Sequence, residues 1–204
     1  MDLKKSTVLV ATFNKHKLEE MNSFVKEFYP EIGITLRGVW DLVSCLPEEN
    51  GSSFEENALI KARFIKSKFP DASVIADDSG LEVSCLGGEP GIRSSRYSLE
   101  GTDEANNKKL LSKMKQVGSL DRTARFNCTL AYIDRNGSES IYKGFCEGVI
   151  LESPQGTAGF GYDPLFYVES LSKTFSQISL EEKNKISHRS RALCSWLNSL
   201  ERLK

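Results

Sequence analysis

The sequence predicts an α/β fold, and three stretches carry that reading. Thr7-Val-Leu-Val-Ala11 is a short β-branched apolar run that breaks into a polar turn and then a helical repeat. Val74-Ile-Ala76 is a second run of small and branched apolar residues, reads as a buried strand, and leads directly into Asp77-Asp-Ser-Gly80. Two arms, Ala124 to Ile133 and Ser140 to Ile150, flank Asn136-Gly137, the strongest short hairpin signal in the chain. Strands interleaved with amphipathic helices place the chain in the α/β class.

The elements follow in order. After the first strand, Thr12-Phe-Asn-Lys-His-Lys17 is a polar turn, and Leu18, Met21, Phe24, Val25 and Phe28 then recur at helical spacing with Glu19, Glu20 and Lys26 on the polar side. Ile32 to Val39 reads as a second strand. The polar stretch Pro47-Glu-Glu-Asn-Gly-Ser-Ser53 is a loop, and Ser53-Phe-Glu-Glu56 has capping-box spacing for a helix that Pro70 closes. Past the central strand, Leu86-Gly-Gly-Glu-Pro-Gly91 is a tight irregular loop. Thr102, with Asp103 and Glu104, caps a helix running to about Val117 with Leu110, Leu111 and Met114 inward. In the first hairpin arm Phe126, Cys128, Leu130 and Tyr132 share a face. Gly156 to Pro164 is a glycine-rich loop with aromatics, followed by a short strand Leu165–Val168. Ser179 caps a short helix, and Ser187-His-Arg189 opens a terminal helix carrying Ala192, Leu193, Trp196, Leu197 and Leu200.

The totals bound the function. At 204 residues the chain is expected to form one domain, spanning 1–204, or two closely packed lobes, with ample length for a core. A net charge of −1 supplies no basic field for binding nucleic acid. Five scattered cysteines, none in a C-x-x-C pair, argue against a disulfide framework or a zinc site and for a reducing compartment. The N-terminal apolar run is too short for a signal peptide, and no run approaches a membrane span. A cytoplasmic protein is expected.

Chemistry concentrates at a few places. Asp77 and Asp78 follow a buried strand, which reads as ending there, at the kind of crevice where open α/β sheets hold ligands. If the strand continues through them they point to opposite faces, so one carboxylate is available for a metal or proton while the other anchors structure. Composition alone also fits an ordinary strand-end turn. The first polar turn offers the unpaired amides of a helix start together with Asn14, Thr12, Lys15 and Lys17, which fit an anion site without a P-loop pattern and equally an ordinary βα turn with solvated lysines. Glu48 and Glu49 matter only if the fold brings one of them opposite Asp78. Phe160 is a flat ring in a loop whose glycines allow close approach of a ligand. His16 and His188, beside basic residues at helix starts, suit phosphate or base contact better than nucleophile activation.

Six blocks in order resemble the inosine/xanthosine triphosphate pyrophosphatase family. They are Thr12-Phe-Asn-Lys-His-Lys17; Phe54-Glu-Glu-Asn-Ala58 with Lys61-Ala62; Ala76-Asp-Asp-Ser-Gly-Leu81; Leu86-Gly-Gly-Glu-Pro-Gly91 with Ser95-Arg-Tyr97; Gly159-Phe-Gly-Tyr-Asp-Pro164; and Glu182-Lys183 with Ser187-His-Arg189. Phe13 stands where a glycine is usual, Gln177 where an acid is common, and Ser84 replaces an acid after the central block. The resemblance implies an elongated mixed β-sheet flanked by helices, two lobes with a central substrate cleft, and a homodimer. It also implies Mg²⁺-dependent attack of water on the α-phosphorus of a non-standard purine nucleoside triphosphate (ITP, dITP or XTP), releasing pyrophosphate. Asp78 would be the catalytic carboxylate and a metal ligand, Glu48 its metal partner, and Asp77, Lys17 and Lys61 further catalytic candidates. Thr12, Phe13, Asn14, Lys15, His16, Lys17 and Ser79 would hold phosphates. Phe160, Gly161, Tyr162, Asp163, Lys183, His188 and Arg189 would hold the nucleoside, with Arg189 aimed at the C6 oxygen. Competing readings are a related pyrophosphatase for modified pyrimidine triphosphates or dTTP and UTP, and a nucleotide-binding module without catalysis. A serine hydrolase using Ser79 lacks the G-x-S-x-G elbow.

Overall fold

The computed structural model describes residues 6–201. The N-terminal residues read as too short for a leader fall largely outside that range. Among the described residues five α-helices, α1 (Lys15–Phe28), α2 (Phe54–Lys68), α3 (Asp103–Val117), α4 (Leu180–Asn184) and α5 (His188–Glu201), accompany a seven-stranded sheet. The strands are β1 (Ser6–Val10), β2 (Ile34–Gly38), β3 (Ser73–Val83), β4 (Thr123–Ile133), β5 (Glu139–Ile150), β6 (Phe166–Val168) and β7 (Lys173–Thr174), in sheet order β2-β1-β3-β4-β5-β6-β7. β1 runs parallel to both β2 and β3, whereas β6 is antiparallel to β5 and β7, so the sheet is mixed as expected. No described helix is long and apolar enough to cross a membrane. Contacts divide the chain into two compact units, with boundaries inside β3, β4 and β5 and just before α5.

In the first unit (1–78, 128–144 and 188–204) strand alternation sorts the core into two layers. Val8, Val10, Ile75, Cys128 and Leu130 face α1 and α5, where Met21, Phe24, Leu193 and Trp196 complete the packing. Leu9, Ala11, Val74, Ala76, Ala131 and Ile133 face the other way, onto Ala58, Ala62 and Ile65 of α2. The backbone of α5 comes so close to β5 that a Cβ on Gly144 would stand 2.3 Å from the His188 carbonyl oxygen and 2.4 Å from the Ala192 nitrogen. Only glycine fits there, and the contact sets the first turn of α5, which carries His188 and Arg189.

In the second unit (79–127 and 145–187) Leu110 and Met114 of α3 pack on Leu81, Val83, Phe126, Phe166 and Phe175. The rings of Phe126, Phe166 and Phe175 form a tight cluster with centroids 4.6 to 5.8 Å apart.

Three sequence expectations need correction. β3 does not stop at Asp77 but runs on through Asp77-Asp-Ser-Gly80 to Val83. Polar and glycine residues favour turns, yet the chain stays extended here because β3 lies beside β4, whose backbone groups replace solvent as partners. The strand whose carboxyl end does matter is β1: its last pairing is Val10 with Ile75, two residues before Asp77. Glu20, read as solvated, is buried. The box at Ser53 is only half made, since the Ser53 side chain accepts from the Glu56 amide at 3.1 Å while the Glu56 carboxylate turns to Ser52.

Candidate active site

Because β3 continues, Asp77 and Asp78 extend the two faces of the first unit in opposite directions. Asp77 shares the face of Ile75, under α1 and α5, and Asp78 shares the face of Ala76, under α2.

On the first face Asp77 is enclosed. Lys17 of α1 pairs with its Oδ1. Its Oδ2 accepts from the Cys128 thiol at 3.0 Å and from Arg189 Nε at 3.2 Å. Arg189 Nη1 in turn donates to Glu20. Burial pushes the Cys128 thiol well above its ordinary pKa, and the Asp77 charge adds to this, so the thiol is a proton donor and not a nucleophile. For Arg189, burial would weaken the cation, but Asp77 and Glu20 outweigh it and hold the guanidinium charged beyond its ordinary range. Two buried carboxylates thus share two cations. Lys17 is placed by its helix start: Asn14 caps α1 by accepting from the Lys17 amide at 3.1 Å, and Thr12 Oγ1 fixes the Asn14 amide at 3.1 Å.

On the second face Lys61 is the hub. Its ammonium, buried on α2, donates to Glu49 at 2.5 Å, to the Asp77 carbonyl at 2.8 Å and to Asp78 Oδ1 at 3.2 Å. Burial opposes its charge, but Asp78 and Glu49 more than restore it, so its pKa lies above the ordinary lysine value. For Asp78 burial dominates: its pKa is raised even though Lys61 and Lys17 pull it down. Its Oδ2 is buried with no hydrogen-bond partner among the described residues. The loop bearing Glu49 is pinned to α2, where the Gly51 amide donates to Asn57 Oδ1 at 2.8 Å. A Cβ on Gly51 would lie 2.7 Å from that oxygen.

The second unit holds the aromatic turn. Lys183 Nζ donates to Asp163 Oδ2 at 2.6 Å and lies 5.1 Å from the ring centres of both Phe160 and Phe175. The Phe160 amide donates to the same Asp163 oxygen at 3.1 Å. Gly159 and Gly161 both adopt left-handed backbone, φ +78° and +63°, which permits the sharp turn around Phe160. Tyr162 is buried, its hydroxyl donating to the Ser94 carbonyl at 2.9 Å.

A family model described as the Ham1 family matches residues 8–198. The chain belongs to the Ham1 family. Within it, a protein of Thermus thermophilus named dITP/XTP pyrophosphatase is 44% identical over 197 residues, covering 97% of this chain and 93% of its own length. One of the same name from Thermoanaerobacter pseudethanolicus is 46% identical over 193 residues, covering 94% of each. The Ham1 protein structure from Staphylococcus aureus superposes with a TM-score of 0.84 at 38% identity, covering 98% of this chain and 100% of that one. The Coxiella burnetii HAM1 structure gives 0.85 at 36%, covering 97% and 99%.

Most of the site residues expected from the sequence fall into three groups. Lys17, Asp77 and Arg189 meet in one buried network, and Lys61 meets Asp78 in another. Phe160, Gly161, Tyr162, Asp163 and Lys183 form one turn with its buried counter-ion. Phe13, Lys15 and His16 are exposed, Lys15 Nζ lying 6.0 Å from the Trp40 ring, while Ser79 is half-buried and His188 buried. Glu48 is exposed, and it is the adjacent Glu49 that reaches Lys61. Sequence reasoning missed Glu20 and Cys128 as members of the network. The signal for Glu20 was present: it stands three residues after Lys17 and four before the core residue Phe24, so it flanks the buried stripe.

Proposed function

We propose that this chain hydrolyses non-standard purine nucleoside triphosphates, dITP and XTP among them, to the monophosphate and pyrophosphate. The observation that carries the chemistry is the pair Asp78 and Lys61. Lys61 is held as a cation and cannot accept a proton. It occupies Asp78 Oδ1, leaving the partnerless Oδ2 as the acceptor for a proton from the attacking water. A raised pKa suits a carboxylate to that task. Lys17, with the capped start of α1 and the turn Thr12–His16, supplies positive charge and amides for the phosphates, and Ser79 adds a hydroxyl.

The Asp78 carboxylate, with one from the Glu48-Glu49 pair, fits Mg²⁺, which prefers oxygen ligands and takes one or two carboxylates plus substrate phosphates. Bound Mg²⁺ would offset charge gathering on the phosphoryl oxygens. The nucleoside is assigned to the Phe160–Asp163 turn with Lys183, where Phe160 stacks on the base. Arg189 spends its Nε and Nη1 on Asp77 and Glu20. A cytoplasmic homodimer acting on the free nucleotide pool completes the reading.

A substrate panel tests it. With Mg²⁺ present, kcat/KM for dITP and XTP is expected to exceed that for dATP, dGTP, dTTP and UTP by at least ~10²-fold, the scale on which a hydrogen-bonding pocket rejects a mispaired base. A preference for dTTP or UTP would move the chain to the pyrimidine reading. Binding without hydrolysis of any of them would make it a nucleotide-binding module.

A further inference from the structure

We propose that Asp103 and Asn107, on the first turns of α3, are positioning residues for the nucleoside-holding turn; this rests on assigning the nucleoside to Phe160. The two side chains stand four residues apart on one helix face and grip a single residue of the turn from both ends. Asp103 Oδ2 accepts from the Gly161 amide at 2.6 Å. Asn107 Nδ2 donates to the Gly161 carbonyl at 2.9 Å. Gly161 is left-handed, and a Cβ built on it would meet nothing within 4 Å. Lack of space therefore does not hold it in that conformation; the two side-chain bonds, with the neighbouring anchors, do.

The rest of the turn is pinned separately. Asp163 takes the Phe160 amide, and Tyr162 is tied through its hydroxyl to Ser94. Gly161 is the link between them, and its peptide planes set where the Phe160 ring points. A second observation marks Asn107. The residue is buried, yet its Oδ1 has no hydrogen-bond partner among the described residues. A fold that leaves a buried amide oxygen unsatisfied keeps that residue for its other contact, here the Gly161 carbonyl. Thr102 already caps α3 by accepting from the Ala105 amide, so Asp103 is not needed as the cap.

The test compares Asp103→Ala and Asn107→Ala with Asp103→Asn, which keeps an acceptor oxygen, each alone and with Phe160→Ala. Amide hydrogen exchange at Gly161 reads the clamp, and steady-state kinetics on dITP read its consequence. Asp103→Ala is expected to speed Gly161 exchange and raise KM by about tenfold, consistent with loss of a charged hydrogen bond, with kcat within about threefold. Asp103→Asn should restore both, and the KM effect should vanish when Phe160 is already alanine. Unchanged exchange in Asp103→Ala overturns the clamp. Faster exchange with a KM that responds to Phe160→Ala but not to Asp103→Ala overturns the positioning role. Faster exchange with a KM indifferent to every variant, Phe160→Ala included, upholds the clamp and removes the nucleoside assignment instead.

Discussion

Asp78→Asn is expected to lower turnover of dITP by at least ~10²-fold, the usual contribution of a positioned acid–base group, while leaving the protein folded. Asparagine keeps an oxygen for Lys61 but puts a donor where the partnerless acceptor was. The stability consequence has a definite sign. The native state raises the Asp78 pKa, so it binds that proton more tightly than the unfolded chain does. Stability therefore falls as pH rises from the ordinary carboxylate value through the raised one, and the penalty is fully present above the raised value. In metal-free buffer at a pH above that value, Asp78→Asn should melt no lower than the parent. A variant that hydrolyses dITP at the parent rate with saturating Mg²⁺ would remove Asp78 from the chemistry. A lower melting temperature would contradict the electrostatic account.

Arg189→Ala is expected to destabilise the protein by about 3–5 kcal/mol, because removing one partner from a buried ionic network leaves uncompensated charge behind. Arg189 is enclosed between Asp77 and Glu20, and all three are buried. Denaturant unfolding of the parent, Arg189→Ala, and Arg189→Ala combined with Glu20→Gln measures this. The double variant should recover part of the loss, since it removes a charge left without its partner. A single variant within about 0.5 kcal/mol of the parent would show that Arg189 is not structurally tied, the range expected for surface changes. Kinetic effects of this substitution report on base choice only after that structural loss has been separated from them.

Much of the frame was legible because periodicity reports burial directly. The β1 run, the stripe of α1 and the Asn136-Gly137 hairpin each carry a local pattern, and the folded elements follow it. Legibility failed where a long-range partner overrides local preference. Asp-Asp-Ser-Gly looks like a turn until β4 lies alongside it. Glu20 looks solvated until Arg189, far along the chain, reaches it. The adjacent acids Glu48 and Glu49 are indistinguishable by spacing, and only the loop held by Asn57 decides which one meets Lys61. The Lys17, Lys61 and Asp78 set was readable only through the family resemblance. Its division between the Asp77 face and the Asp78 face depends on β3 remaining extended.

The most direct measurement is hydrolysis of dITP in ¹⁸O-labelled water with Mg²⁺, followed by mass analysis of both products. Water attacking the α-phosphorus, with its proton passing to Asp78, places the label in the nucleoside monophosphate and leaves pyrophosphate unlabelled. Label in pyrophosphate, or nucleoside diphosphate and orthophosphate as the primary products, would contradict it.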